Sequence, residues 1–383
     1  MSYKNLTSAT IIKDSINKRG ERITTIKMVF PRYLLAELNT HRMFSRNSAS
    51  SRAIPFKKMV KSAEDTPFIP MAFQEDHKGM QGTSYLTGIE FENAVDNWLL
   101  ARDSAIINAK ILDSLGVTKQ LCNRILEPFI YHTVLVTATQ WDNFFELRCP
   151  QYTWEYEEGF IKEKSKEDFI KKFIERYPTN GEPELHDLEL VDENLNANDS
   201  VNWLEINKGA GEIHIMDLAE KMYDAMNEST PEVLEDGQWH IPFMDDNSTQ
   251  AIMNITPKPS MGHPEEDSTP AENYWYGEVM TNMLKVATAR CARISYETLG
   301  DIPKIDYEAD IKLHDNLLKS GHFSPFEHIG RAMTDDEYDL HIRGIIAGYN
   351  PMGYAGIQQE VKGWSRNLRG FIQYRELIEQ NNN

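Results

Sequence analysis

Apolar positions recur along this chain with two periods, and the switches between them mark its elements. Residues 22–38, RITTIKMVFPRYLLAEL, begin with β-branched residues alternating with polar ones, then take helical spacing after Pro31, a residue suited to the first turn of a helix. This predicts a strand followed by a helix ending near His41. From Phe91 to Leu115 the residues Val95, Trp98, Leu99, Ile106, Ala109 and Leu112 repeat at helical spacing, and Gly116 sits where a helix stops. Thr118 is placed to cap a further helix through KQLCNRIL, which Pro128 should kink or end.

Beyond Arg148 the pattern changes. Residues 155–200 are dominated by charge, and we read 155–205 as an insertion between two parts of one domain, 1–154 and 206–383. Within it DFIKKFIERY puts Phe169, Ile170, Phe173, Ile174 and Tyr177 on one face, which predicts a short amphipathic helix. Helices are predicted again over Ile215–Met226, from Tyr274 towards Ala292, and over Tyr307–Lys319, stopped by Gly321. Residues 230–272, rich in Pro, Asp, Asn and Ser, read as a long irregular connection. The fold class that follows is α+β: a helix-rich single domain with a small, mostly antiparallel sheet, and no repeated βαβ unit.

Composition narrows the function classes. With 40% hydrophobic residues among 383, the chain is long and apolar enough for one large or two moderate cores. Its apolar runs, such as Val134–Val136, fall far short of the roughly 18 residues of a membrane span. The first residues, MSYKNLTSATIIKDS, lack the pattern of a secretory signal, so a soluble, cytoplasmic protein is expected. Cys122, Cys149 and Cys291 are odd in number and widely spaced, which indicates neither a disulfide framework nor a cysteine zinc site. A formal net charge of -19 argues against a duplex nucleic-acid partner, so any phosphate must be held by local clusters of arginine. No glycine-rich dinucleotide or nucleotide phosphate loop is present.

Two segments carry candidate chemistry. HRMFSRNSASSR, from His41 to Arg52, packs three arginines among serines whose small side chains let backbone N–H groups reach an anion. The alternative is a polar loop that caps a helix. HFSPFEH, from His322 to His328, follows a helix stop, and its Ser-Pro turn is placed to bring His322, Ser324, Glu327 and His328 together. A metal centre lacks a third ligand at convincing spacing, and Glu327 as a simple cap is the other reading.

Together these segments resemble the flavin-dependent thymidylate synthases, whose signature runs RHR-x-x-S-x-N-x-x-S-x-R-Y. Residues 40–53 read THRMFSRNSASSRA, and HFSPFEH is similar to the family's H-x-S-P-F-E-H element. Further likenesses are CARISY around Ser295, NRILEP around Arg124, NFFELR ending in Arg148, GAGEIHIMDLA around Glu212, and an N-x-R pattern at Asn367 and Arg369. The order differs, because the ARxS and SPFEH elements precede the RHR segment in the family and follow it here, as a circular permutation would produce. Thr40 replaces the first arginine, Ser48 a glutamate, Ala53 the final tyrosine, and Glu37 the glutamine that faces the nucleotide. Arg46, Arg32 or Arg366 are placed to restore the lost charge.

The resemblance implies reductive methylation of dUMP to dTMP, with FAD, NADPH and 5,10-methylenetetrahydrofolate, in a homotetramer that shares its active sites. It implies that Glu37, Ser50, Ser51, Arg52, Arg124 and Arg148 hold the nucleotide. It assigns the flavin to His41, Arg42, Asn47, Asn143, Ser295, His322, Ser324, Glu327, Asn367 and Arg369. Arg148 and His322 are the expected catalytic residues, with His322 also bordering the folate. The altered positions leave three alternatives: a flavin-dependent hydroxymethylase or an enzyme acting on dCMP, a non-catalytic nucleotide-binding relative, and a flavin-free enzyme that uses a Cys149 thiolate beside Arg148.

Overall fold

The computed structural model describes residues 4–78, 84–150, 211–258, 269–296, 298, 305–339 and 367–381. The predicted insertion and its amphipathic helix lie outside the described residues, as does Arg366. The chain opens with an antiparallel hairpin, β1 (Ser8–Asn17) and β2 (Arg22–Pro31). Two later strands, β3 (Ser45–Ser48) and β4 (Tyr131–Ala138), and a short β5 (Glu232–Leu234) complete a five-stranded sheet in the order β3-β4-β2-β1-β5. Among the described residues of this sheet only the β1–β5 pairing is parallel. A second, antiparallel sheet joins β6 (Trp239–His240), β7 (Gly330–Ala332) and β8 (Phe371–Gln373).

Every residue of β4 is buried, because both faces of this strand are covered. Val134 and Val136 pack with Ile26 and Met28 under the helix Ile213–Glu228, through Ile215, Leu218, Ala219 and Met222. On the opposite face Leu135 packs against Cys291 and Ile294, at the end of the helix Thr269–Arg293. The strand's period of two thus divides the molecule into two sides.

Between the two sheets runs a file of buried polar side chains. Ser15 Oγ lies 3.0 Å from His240 Nδ1, and His240 Nε2 lies 2.8 Å from Thr25 Oγ1. Thr25 meets its register partner Thr137 at 2.6 Å, and Thr137 Oγ1 lies 2.9 Å from His328 Nδ1. All five residues are fully buried, so each depends on the next for the hydrogen bonds it has lost to water. Burial holds His328 neutral, its pKa pushed down to about 3.

Most predicted helices are present. The helix expected from Phe91 runs Gly88–Ser114, and Thr118 caps the helix Lys119–Cys122 by accepting from the Gln120 N–H at 3.1 Å. Pro128 falls in a 3-10 turn, Asn123–Phe129, instead of an α-helix. The helix after Pro31 is shorter than expected: a 3-10 turn, Arg32–Leu34, then one α-turn, Leu35–Leu38. The irregular connection read over 230–272 is corrected, since it holds β5, β6 and a helix, Asp246–Ile255, capped by Asp245. That helix buries only Ser248 and Ile252, too thin an apolar stripe to read as periodicity.

Gly370 brings the carboxy-terminal segment against the first hairpin. Its φ of +74° suits glycine, and a Cβ there would lie 1.7 Å from Glu21 Oε2, so the Glu21 and Asn17 side chains would have to give way to one.

Candidate functional site

The serine- and arginine-rich segment is a turn, a strand and a second turn. Its centre, β3, pairs antiparallel with β4 at the edge of the five-stranded sheet, with Ser45 opposite Thr137 and Asn47 opposite Leu135. Strand alternation therefore sends Ser45 and Asn47 to one side, and Arg46 and Ser48 to the other.

On the first side four distant segments meet. The buried Asn47 donates from Nδ2 to the Cys291 carbonyl at 2.6 Å and accepts from Ser324 Oγ at 3.2 Å. Ser45 Oγ accepts from Asn367 Nδ2 at 2.9 Å, and the same amide donates to the Met43 carbonyl at 2.9 Å. Gln373 ties Ser45, Asn367 and the Glu327 carbonyl together through its Nε2, at 3.3, 3.1 and 3.2 Å. The Ser50 N–H donates to the Ser295 carbonyl at 3.0 Å. Glu327 is held by Arg375, 2.5 Å from its carboxylate.

The second side gathers charge. Arg46 Nη1 donates to the carbonyls of His41 at 3.0 Å and Asn39 at 3.2 Å, so it closes the end of the short helix Leu35–Leu38. Glu37 pairs with Arg148 Nη1 at 2.6 Å, across from the end of a helix, Asp142–Arg148. Burial raises the Glu37 pKa, Arg148 opposes the rise and Glu212 adds to it. His41 sits edge-on to Phe144 with ring centroids 4.8 Å apart, and its Nε2 is buried with no partner among the described residues. Burial, with the charges of Arg148 and Arg46, lowers its pKa, which makes it a neutral imidazole at pH 7.

Other predicted residues stand apart. Arg42, Arg52, Arg124, Asn143, His322 and Arg369 have exposed side chains. Arg124 approaches Glu127 at 3.9 Å, and Arg369 approaches Glu21 at 3.4 Å while its N–H bonds Thr139 Oγ1 at 2.8 Å. The convergence expected of His322, Ser324, Glu327 and His328 is not what the structure has. His322 faces solvent, and His328 points into the sheet toward Thr137. Ser51 is buried and its carbonyl accepts from Asn123 at 2.7 Å. Cys149 is 2% exposed within the main core, which does not suit a nucleophile that must reach a ring.

Sequence reasoning marked Glu212 as a family likeness but gave neither it nor His214 a role beside Glu37. Glu212 caps the helix Ile213–Glu228, its carboxylate touches His214 Nδ1, and the Tyr33 hydroxyl lies 2.7 Å from the same ring nitrogen. The Met71 N–H, which can only donate, bonds His214 Nε2 at 3.1 Å. His214 therefore carries its proton on Nδ1. The signals for it in the sequence are the GAGEIHIMDLA likeness and the spacing of Glu212 and His214 just before a predicted helix.

No family model and no curated protein matches the chain. Among solved structures it is similar to the UMP/dUMP methylase PolB from Streptomyces cacaoi bound with 5-Br UMP, at 15% identity and a TM-score of 0.32, over 41% of this chain and 83% of that one. The same methylase bound with 5-Br dUMP matches at 12% identity and a TM-score of 0.33, over 46% of this chain and 90% of that one.

Proposed function

We propose that this chain is a flavin-dependent methylase of the thymidylate synthase type, converting dUMP to dTMP with methylenetetrahydrofolate and NADPH. One observation carries the reading. The segments that resemble the family in sequence, around Asn47, Ser295, Ser324 and Asn367, meet on a four-residue strand. Such a meeting is what a circular permutation requires, since it alters connectivity and leaves the packed site intact.

The residues fit FAD as its holder. The orphan His41 Nε2 offers a buried polar contact, and Arg42 leaves an exposed guanidinium for a diphosphate. When bound, the flavin supplies the hydride transfer that side chains cannot perform. The chain supplies position and charge. Asn47, Ser324, Asn367 and Gln373 lock one another, so the surface they form is rigid before any ligand arrives. Arg148, Arg52 and Arg124, with Ser50 and Ser51, hold the nucleotide, and Glu37 sets the orientation of Arg148. Arg148 also offsets negative charge that develops on the ring. The homotetramer belongs to the same reading.

A second reading is favoured by Glu37. A carboxylate held by Arg148, where the family has a glutamine, accepts hydrogen bonds, which suits the exocyclic amine of a cytosine ring and points to a dCMP-modifying or hydroxymethylating relative. Incubation with FAD, NADPH, methylenetetrahydrofolate and either dUMP or dCMP, with the product weighed by mass spectrometry, separates them. A gain of one methyl on dUMP supports the first reading. A hydroxymethyl or a modified dCMP supports the second. Purified protein that stays colourless and cannot be loaded with FAD overturns both.

A further inference from the structure

Tyr33 is inverted relative to an ordinary surface tyrosine. Such a residue buries its ring and leaves its hydroxyl in water. Here the residue is 41% exposed, yet its hydroxyl is turned inward, to Glu212 and the buried His214. A lone exposed apolar residue needs no explanation. An exposed ring tethered by an inward hydroxyl does, because a cluster of polar groups is committed to displaying an apolar face.

The tether is complete. The Tyr33 oxygen lies 2.7 Å from His214 Nδ1, and its O–H donates to Glu212 Oε1 at 3.2 Å. With the His214 proton on Nδ1, the phenol accepts from the imidazole and donates to the carboxylate, so both of its hydrogen-bonding roles are filled. His214 is fixed in turn by the Met71 N–H, and Glu212 accepts from the His214 backbone N–H at 3.0 Å. Phe68, fully buried, backs the Tyr33 ring from the interior with centroids 5.3 Å apart. Burial first, then the Glu212 and Glu37 carboxylates, raise the pKa of the phenol, so it stays a neutral donor at pH 7.

Beside the ring stand groups that can read an edge. Tyr33 and Glu37 are four residues apart on consecutive helical turns, which makes their side chains neighbours, with Cβ atoms about 5–6 Å apart in a regular helix. Glu37 holds Arg148 at 2.6 Å. The displayed face therefore has a carboxylate and a guanidinium within the width of a pyrimidine. Stacking on an aromatic face accepts any base, and hydrogen-bonding groups at its edge select among them.

We infer that Tyr33 is the platform on which the nucleotide's pyrimidine ring lies, with the ring's face on the phenol and its polar edge at Glu37 and Arg148. The display of the phenol stands on Glu212, His214 and Phe68; that the ring it receives belongs to a nucleotide rests on the function proposed above. Because the hydroxyl is already tethered, the platform is ordered before the ring arrives and little further freedom is lost on binding.

The test follows binding of dUMP, dCMP and deoxyribose phosphate to the full chain, by calorimetry for affinity and by the NMR shifts of the two ring C–H protons of each nucleotide. Protons lying over an aromatic face move upfield, which a merely structural role of Tyr33 would not produce. Wild type is expected to move both upfield. Tyr33→Leu should weaken nucleotide binding by about 10-fold or more and shrink the shift, while deoxyribose phosphate, which has no ring to stack, binds as before. Tyr33→Phe keeps the ring and deletes its tether, so the shift should persist at about 3-fold lower affinity. Tyr33→Trp, with its stronger ring current, should enlarge the shift.

A cooperative thermal transition reports that each variant is folded. If Tyr33→Leu does not fold, Tyr33→Trp decides, and a shift unchanged from wild type overturns the platform. Nucleotide affinity equal in wild type and Tyr33→Leu, or an equal loss for deoxyribose phosphate, also overturns it, while FAD loading and methylation by wild type leave the proposed function standing. Loss of FAD binding in Tyr33→Leu with nucleotide binding intact gives the ring to the flavin and overturns the platform. A wild type that binds neither nucleotide overturns the platform, and its FAD loading then reports whether the proposed function falls as well.

Discussion

The Ser324 hydroxyl donates to Asn47 Oδ1 at 3.2 Å across 277 residues of chain. Asn47 has no spare polar atom, since its Nδ2 is already committed to the Cys291 carbonyl. The bond fixes the SPFEH turn relative to β3, and the consequences of breaking it are open to measurement.

Replacing Asn47 with alanine leaves the Cys291 carbonyl and the Ser324 hydroxyl without this partner in a buried setting. The expected cost is about 1–3 kcal/mol in chemical denaturation. On the function proposed above, flavin affinity should fall as well, read by fluorescence titration. Ser324→Ala should cost less, since its loss leaves only one acceptor lone pair unfilled.

Thr137→Val cuts the buried polar file in the middle, strands His328 Nδ1 and leaves Thr25 only its bond to His240. Because valine fills the same volume, the loss of about 1–3 kcal/mol comes from polarity alone. Urea unfolding should show a lower midpoint with an unchanged slope.

Glu220 lies on the buried side of the helix Ile213–Glu228, where burial and the nearby Asp224 raise its pKa to about 8, against the opposing charge of Lys221. A pKa raised in the folded state gives stability that is fully present below the unfolded value, about 4.5, and is lost as pH climbs through about 8. Glu220→Gln should flatten that decline, as measured by denaturation midpoints from pH 4.5 to 8.5.

The tautomers of two histidines are fixed by backbone groups. Phe30 O accepts from His132 Nδ1, and the Met71 N–H donates to His214 Nε2. Long-range proton–nitrogen spectra should place the proton on Nδ1 in both rings at pH 7, and a proton on Nε2 of either would contradict the hydrogen bonding described.

Cys149→Ala should keep full turnover. The thiol is packed in the main core, and its removal should lower stability by about 1 kcal/mol without touching the reaction. Loss of turnover in a folded variant would revive the thiolate mechanism.

The strongest periodicities were legible in advance. The helices Gly88–Ser114, Ile213–Glu228 and Tyr307–Lys319 follow from apolar spacing, the first and last also from the stop residues Gly116 and Gly321. β3 was hidden, because SRNS carries no apolar residue and is a strand only through its pairing with β4. The pairing of Glu37 with Arg148 and the union of Asn47 with Ser324 depend on packing across long separations, which no local pattern encodes. The buried role of His328 was equally hidden, since in sequence it looks like its exposed neighbour His322.

The lock on β3 also has a timetable. Ser45 waits for Asn367 and Gln373, which lie 322 and 328 residues downstream. At translation speeds of about 5–20 residues per second, that delay is roughly 15–65 s. Asn47 finds Cys291 and Ser324 earlier, 244 and 277 residues downstream, so Ser45 is the last side chain of the strand to exchange water for its partners. A nascent chain interrupted before Asn367 would therefore leave the Ser45 hydroxyl without the two amides that bury it, and β3 held to the rest of the fold without its carboxy-terminal clasp.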